Sequence, residues 1–220
     1  METAKKTRVR FILPEANAFT PNNIDDPLPY YYKPVIGSLY RARIQAGLDL
    51  LAPPYRRVLE FGFGSGLLLP SLAGTGAEVH GIDLNSDPAT VQRSLDTAGV
   101  KASLKSGDLL AAGYPGEYFD LIVAFSVFEH IADPGAILGE MSRITVAGGR
   151  LLVGMPRVDR VMERFFQFIG YQGIEKHHVT NHREFTRHAG AWFTLEKIVS
   201  MPSLLPQAAG LYYNMLFVKK

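Results

Sequence analysis

An acidic residue stands at the entrance to a glycine-rich turn in residues 56–66, RRVLEFGFGSG. The apolar run around Glu60 predicts a strand, and Gly62, Gly64 and Gly66 follow at alternate positions. Glycines allow a ligand to come close to the main chain. A dinucleotide turn has the spacing G-x-G-x-x-G, and the carboxylate of Glu60 would repel a pyrophosphate bound there. We therefore expect a ligand that carries a positive group near Glu60.

S-adenosylmethionine meets this expectation, because it has a sulfonium and an α-ammonium and lacks phosphate. Its carboxylate can accept hydrogen bonds from backbone N–H groups at the start of the helix that follows the turn. Asp83 ends the next predicted strand, about 20 residues past the glycines, where a carboxylate can accept both ribose hydroxyls. Asp108 ends the third predicted strand and could bind the adenine amino group. Ligands of open α/β sheets bind at such strand ends, so the three acids together favour one site.

Strands and helices that alternate along the chain must position these acids. The predicted strands are RVLEF, AEVHGID, KASLKSGD, YFDLIVAFS and GGRLLVGMP. Helices are predicted for GLLLPSLAG, for DPATVQRSLDTAG with Asp87 as its cap, and for DPGAILGEMSRIT capped by Asp133. This alternation predicts a mainly parallel sheet with helices on both faces.

An earlier helix is predicted from Ser38, its N-cap, to the residues before Pro53 and Pro54. Its apolar side chains share one face, and Arg43 is expected to point elsewhere together with the other charged residues Arg41 and Asp49.

The chain after residue 156 follows a different pattern. RVDRVMERFFQFIG predicts an aromatic helix, and YQGIEKHHVTNHREFTRHAG predicts a polar loop that contains His177, His178, His182 and His188. The last apolar runs, WFTLEKIVSMP and GLYYNMLFVKK, predict a hairpin of antiparallel strands at the edge of the sheet.

Residues 55–156 resemble the class I S-adenosylmethionine-dependent methyltransferases, in the branch of ubiquinone-biosynthesis and other small-molecule enzymes. The motifs that carry the resemblance are VLEFGFGSG, VHGIDLN, SGDLL, FDLIVAFSVFEHIADP and AGGRLLVGMP. The resemblance implies a Rossmann-like α/β fold, a seven-stranded mainly parallel sheet with helices on both faces and an antiparallel C-terminal strand. It also implies cofactor-binding roles for Glu60, Gly62, Phe63, Gly64, Ser65, Gly66, Asp83, Leu84, Asp108, Leu109, Phe125 and Ser126.

Methyl transfer from a sulfonium mainly requires alignment of donor and acceptor and exclusion of water. A general base is needed only where the acceptor keeps its proton at neutral pH, and His130, His177 and His178 are the candidates. These histidines, with Tyr31 of a Tyr-Tyr-Tyr run, are also the candidates for binding the acceptor.

Some related O-methyltransferases associate a Glu-x-x-Glu-His segment with a divalent metal. Here Glu129 and His130 match that segment, but Ser126 replaces its first glutamate. We therefore predict no metal site unless His177 or His178 supplies the missing ligand, and the simpler interpretation is that Glu129 and His130 only shape the wall of the pocket.

The 220 residues are expected to form a single methyltransferase domain. Its parts are an N-terminal arm and helix (1–54), a cofactor-binding core (55–156), a substrate-recognition or lid segment (157–190) and C-terminal strands (191–220). The N-terminus does not resemble a signal peptide, no run is long enough for a membrane span, and the chain contains no cysteine. These features favour a cytoplasmic protein.

The balance of 23 basic and 21 acidic residues leaves a formal net charge of +2, which gives no support for a nucleic-acid partner. The predicted activity is methylation of a small molecule, preferably at oxygen, with an unknown oligomeric state. Three further functions stay open: a non-catalytic module that binds cofactor or a partner, an RNA methyltransferase and, disfavoured by Glu60, a nicotinamide dehydrogenase.

Overall fold

A twisted sheet forms the centre of the computed structural model, which describes residues 8–22, 26–157, 180–204 and 206–220. Within these ranges the sheet has seven strands in the order β3-β2-β1-β4-β5-β7-β6. The strands are β1 (Arg57–Phe61), β2 (Glu78–Asp83), β3 (Ser103–Ser106), β4 (Phe119–Phe125), β5 (Thr145–Pro156), β6 (Phe193–Met201) and β7 (Tyr212–Lys219). Strands β1 to β5 pair in parallel, and β7 runs antiparallel to both β5 and β6. The predicted fold class and the C-terminal hairpin are both confirmed.

Helices cover both faces of this sheet. They are α1 (Leu28–Tyr31), α2 (Pro34–Leu48), α3 (Leu69–Ala73), α4 (Pro88–Thr97), α5 (Gly135–Ile144) and α6 (His182–Ala189). Alternate residues of β1 point into two separate cores. Val58 packs with side chains of α2, α3 and α4 on one face of the sheet. Leu59 packs with side chains of α5 and α6 on the other face. The alternation follows from the two-residue repeat of a strand.

Two helix starts differ from the sequence prediction. Helix α2 begins at Pro34, four residues before the expected cap, because proline at the first helical position has its φ already set. The hydroxyl of Ser38 instead donates to the Pro34 carbonyl at 3.0 Å. Helix α5 has Pro134 as its N-cap, although Asp133 Oδ1 still accepts a hydrogen bond from the Gly135 N–H.

Helix α6 lies where the sequence predicted a polar loop. The side chain of Asn181 caps it by accepting from the backbone N–H groups of Arg183 and Glu184. Phe185 and Ala189 are buried on its inner face. Two buried apolar side chains and an N-cap are enough to stabilise this short helix. The polar composition of the segment therefore led to the wrong prediction of a loop. The predicted aromatic helix before it lies outside the described residues.

None of the described helices is long and apolar enough to cross a membrane.

The ring of Phe125 at the end of β4 is held between two glycines. A Cβ at Gly47 of α2 would lie 2.6 Å from Phe125 Cζ, and one at Gly154 of β5 would overlap the same ring. Helix α2 can therefore approach the ends of β4 and β5 only because both positions lack side chains.

We expect Gly154→Ala to destabilise the protein by about 1–3 kcal/mol, since its methyl group would displace the Phe125 ring. Urea unfolding measures this change. Gly139→Ala in α5 is the matched control, because its Cβ would come no closer than 3.4 Å to Trp192 and helix propensity favours alanine. Equal stability of the two variants would contradict this account of the packing.

Candidate functional site

The carboxyl ends of the parallel strands open into a cleft of about 630 Å³. Pairing brings Phe61 level with Ile82 and Asp83 level with Ser106, so these ends lie at one edge of the sheet. The predicted cofactor residues that line the cleft are Glu60, Gly62, Phe63, Gly64, Ser65, Asp83, Leu84, Asp108, Leu109, Phe125 and Ser126.

Gly66 is the predicted cofactor residue that does not line the cleft. It lies behind the turn, where a Cβ would come within 2.5 Å of a methyl group of Val91. Its φ of +80° also requires glycine. We therefore assign Gly66 to the shape of the turn and not to ligand contact.

The glycine turn presents bare main chain to the cleft at Gly64. This residue has a φ of +52°, and a Cβ built on it would meet no atom within 4 Å. The position thus combines a conformation that favours glycine with open space in front of it.

The side chain of Glu60 lies buried at the floor of the cleft. It is 6% exposed, and its Oε2 has no hydrogen-bond partner among the described residues. Burial raises the Glu60 pKa well above its ordinary value of 4.5, and the nearby negative charge of Asp83 raises it further. A buried acid without a partner is costly to ionise, so the site is suited to a ligand that brings a positive charge.

Asp83 holds the glycine turn in place. Its Oδ2 accepts from the Gly64 N–H at 2.9 Å, and its Oδ1 accepts from the N–H groups of Asn85 and Ser86, also at 2.9 Å. A carboxylate has about four acceptor positions, so these three bonds leave room for about one more. The sequence placed Asp83 correctly at the cleft but gave no sign of this positioning role.

At the adenine end of the predicted site, the Asp108 side chain caps a short turn by accepting from the Leu110 N–H at 3.0 Å. Leu109 is buried beside it. Leu84 lies at the rim and is 67% exposed, which leaves an apolar surface open to a ligand.

The N-terminal arm closes over the glycine turn through contacts that sequence reasoning missed. Buried Asp26 accepts from the backbone N–H groups of Asn22 and Leu28, and the Ser65 hydroxyl lies 3.4 Å from its Oδ1. The Asn22 amide donates to the hydroxyl of Ser86. The docking place of the arm depends on residues 39 to 64 positions away along the chain, which a local sequence pattern does not reveal.

The opposite end of the cleft is built around Ser126, directly after β4. Its φ of +56° lies in the left-handed region, which is uncommon for a residue other than glycine. Its N–H donates to the Gly154 carbonyl at 2.7 Å, and its hydroxyl lies 3.2 Å from that of Tyr212. Strain of this kind is found preferentially at functional sites.

Glu129 and Arg43 are two further ionisable groups in this region: Glu129 bonds to Ser126, and Arg43 lies over the ring of Tyr212, whose hydroxyl contacts Ser126. Glu129 is 1% exposed, and this burial raises the pKa of its carboxyl to about 7. Arg43 and the Ser126 hydroxyl favour the ionised carboxylate and so oppose the rise. Arg43 lines the cleft, which contradicts its expected outward orientation on α2. The helix places it there because α2 crosses the strand ends with Gly47 and Ile44 inward.

The other predicted residues divide into three groups. Tyr31 is buried and lines the cleft, within a helical turn. His130 also lines the cleft, from a short turn after β4. His177 and His178 lie outside the described residues, so their roles stay predictions.

Metal ligands do not gather in the described part of the chain, where no group of three or more His, Asp or Glu side chains is placed to hold an ion. Glu129 points into the protein beside Arg43, and His130 is exposed.

Known proteins resemble this chain both in sequence and in fold. Residues 59–153 match a family model described as a methyltransferase domain. The fold is similar to N-methyltransferase NodS from Bradyrhizobium japonicum, solved with S-adenosyl-L-homocysteine, with a TM-score of 0.64, 19% identity and coverage of 90% of this chain and 94% of that one. It is also similar to a putative sarcosine dimethylglycine methyltransferase from Galdieria sulphuraria, with a TM-score of 0.64, 16% identity and coverage of 87% and 90%. The central part of the chain is therefore similar in sequence to a methyltransferase domain, and its fold is similar to those of the two solved structures.

More specific matches are to ubiquinone biosynthesis O-methyltransferases. The protein from Thiobacillus denitrificans is 37% identical over 97 residues, which are 43% of this chain and 41% of the relative. The protein from Azorhizobium caulinodans is 35% identical over 98 residues, 44% of this chain and 39% of the relative. The match thus spans about two fifths of the length of these relatives.

The raised pKa of Glu129 predicts how stability changes with pH. A folded-state pKa of about 7 against an ordinary value of 4.5 means that the folded protein holds this proton more tightly. Stability should therefore fall as pH rises from about 4.5 to about 7, by about 3 kcal/mol in total from this residue. Glu129→Gln should remove that part of the fall, as measured by urea unfolding at pH 4.5 and 8.

Glu15→Gln is the control, because Glu15 is exposed and the same change there leaves the buried carboxyl intact. Identical pH dependence of the wild type and Glu129→Gln would show that Glu129 does not titrate as the structure indicates.

Proposed function

We propose that this protein transfers the methyl group of S-adenosylmethionine to an oxygen of a small-molecule acceptor. The observation that carries the proposal is the Glu60 carboxylate, buried in the cleft with an oxygen that has no partner among the described residues. An α-ammonium next to Glu60 would form a charge-assisted hydrogen bond and offset the cost of its burial. A phosphate would meet Glu60 and Asp83 together and be repelled.

Several residues of the cleft could hold the rest of the donor. Asp83 can accept one further hydrogen bond, from a ribose hydroxyl, while it continues to fix the turn. Asp108 and Leu109 line the cleft and would contact the adenine edge, and the exposed Leu84 would offer the adenine ring an apolar surface. The bound donor would supply an electrophilic methyl on a positively charged sulfur.

The acceptor would lie at the Ser126 end of the cleft. Tyr31 and Phe125 give this end aromatic walls, which align a small molecule and exclude water. His130 lines the same end and is our candidate for receiving the proton of an acceptor hydroxyl. The names of the sequence relatives support oxygen as the acceptor atom. A cytoplasmic location stays a prediction.

We expect Glu60→Gln to weaken binding of S-adenosylhomocysteine by about 10- to 100-fold, the usual cost of a charge-assisted hydrogen bond. The raised pKa adds a second signature, because Glu60 must release a proton when an ammonium binds. Calorimetry in buffers of different ionisation enthalpy should detect proton release in the wild type and none in the variant.

Glu78→Gln is the matched control, since Glu78 starts β2 at the opposite edge of the sheet and is exposed. Failure of the wild type to bind either S-adenosylhomocysteine or sinefungin would refute the proposal. Binding of the donor without formation of S-adenosylhomocysteine on any metabolite pool would instead support a non-catalytic module. Methylation confined to RNA would identify an RNA methyltransferase, and binding of NAD in place of the donor would identify a nicotinamide dehydrogenase.

A further inference from the structure

A ribose would bring more hydrogen-bond donors into the cleft than Asp83 can accept. The Asp83 carboxylate already accepts three backbone N–H groups at 2.9 Å, those of Gly64, Asn85 and Ser86. About one acceptor position is left on it, whereas a ribose diol has two hydroxyls to donate. One hydroxyl therefore needs a second acceptor, which either the protein or the solvent must supply.

Asp26 of the N-terminal arm is a second carboxylate that lines the cleft, and it is 9% exposed. Its Oδ2 accepts from the Asn22 N–H at 2.8 Å, and its Oδ1 accepts from the Leu28 N–H at 2.9 Å. The Ser65 hydroxyl is a third donor, at a longer distance of 3.4 Å from Oδ1. By the same count, Asp26 also has about one acceptor position to offer.

Asp26 and Asp83 bind adjacent residues of the glycine turn. The Oδ2 atom of Asp83 accepts from the Gly64 N–H at 2.9 Å. The Oδ1 atom of Asp26 contacts the hydroxyl of Ser65, the next residue. The arm thus brings its carboxylate to the same turn that Asp83 fixes.

A second chain of hydrogen bonds links the two carboxylates through Asn22. The backbone N–H of Asn22 donates to Asp26, and its side-chain amide donates to the hydroxyl of Ser86. The N–H of Ser86 in turn donates to Asp83. Two independent sets of contacts therefore hold Asp26 close to the residue that would bind the ribose.

Glu60 marks the cleft as a ligand site independently of these two acids. It is 6% exposed, lines the same cleft and has an oxygen, Oε2, without a hydrogen-bond partner among the described residues. Under the proposed function this carboxylate takes the α-ammonium of the donor. The positive group of the ligand is then already matched, and Asp26 is left for an uncharged hydrogen-bond donor.

We propose that Asp26 binds one of the two ribose hydroxyls of the methyl donor, while Asp83 binds the other. Each contact is a hydrogen bond from a hydroxyl to a carboxylate, which is stronger than a bond between neutral groups. The N-terminal arm is then part of the donor site and not only its cover. This inference rests on the proposed function and assigns a further residue to that site.

The test is a double-mutant cycle between the protein and the ligand. Calorimetry measures binding of S-adenosylhomocysteine, its 2′-deoxy analogue and its 3′-deoxy analogue to the full chain. In the wild type, each analogue should bind about 10- to 100-fold more weakly than S-adenosylhomocysteine. Asp26→Asn should weaken S-adenosylhomocysteine by a similar factor but change the affinity of one analogue by less than about threefold. Asp83→Asn should show the same coupling to the other hydroxyl.

Two further measurements separate ligand contact from a purely structural role. Asp96→Asn makes the same carboxyl-to-amide change at an exposed position of α4 and should bind all three ligands as the wild type does. In the wild type, S-adenosylhomocysteine should slow amide exchange at Asn22 and Leu28, whose N–H groups bond to Asp26, more than one of the deoxy analogues does. The exchange measurement decides the question even if Asp26→Asn does not fold.

Other outcomes overturn the inference in different ways. Equal losses for all three ligands in Asp26→Asn would assign Asp26 to docking of the arm alone. Coupling of both hydroxyls to Asp83 and of neither to Asp26 would place the whole diol on Asp83. Deoxy analogues that bind the wild type as tightly as S-adenosylhomocysteine would show that neither carboxylate holds the ribose. Failure of the wild type to bind S-adenosylhomocysteine at all would instead refute the proposed function itself.

Discussion

The organisation of this cleft depends on two carboxylates that the sheet places close together. Glu60 is buried at the end of β1, and Asp83 stands at the end of the neighbouring β2. Asp83 accepts hydrogen bonds from three backbone N–H groups, which offsets the free-energy cost of placing its charge there. The same bonds fix the turn that contains Gly64. Glu60 has one oxygen without such partners among the described residues. Burial and the nearby charge of Asp83 make ionisation of Glu60 costly, and a cationic ligand would offset that cost.

The second organising contact is the packing of α2 across the ends of β4 and β5. Gly47 and Gly154 make space for the Phe125 ring, which lets the helix bring Arg43 to the cleft. Asn214, fully buried in β7, supports the helix by donating to the Arg43 carbonyl at 3.0 Å. One end of the cleft is consequently acidic and the other carries a cation between aromatic rings.

The core of the fold could be predicted from the sequence because its signals are local. The apolar runs of β1 and β4, the Asp87 cap and the glycine spacing each report on a few adjacent residues. Helix α6 was missed because its two buried residues, Phe185 and Ala189, are too few to reveal a helical period. Arg43 was misplaced for a related reason: helical periodicity locates an apolar stripe, but it cannot show that a neighbouring face meets a ligand cleft.

The sequence by itself determined the order of strands and helices in the core, the glycine turn and the position of acids at successive strand ends. It could do so because strand ends, caps and turns depend on neighbouring residues. Only the tertiary structure decided that Glu60 lacks a partner within the described chain, that Asp26 docks on the turn and that Arg43 stands among Tyr31, Tyr40 and Tyr212. These properties arise from burial and from contacts between residues up to 169 positions apart, which no local pattern encodes.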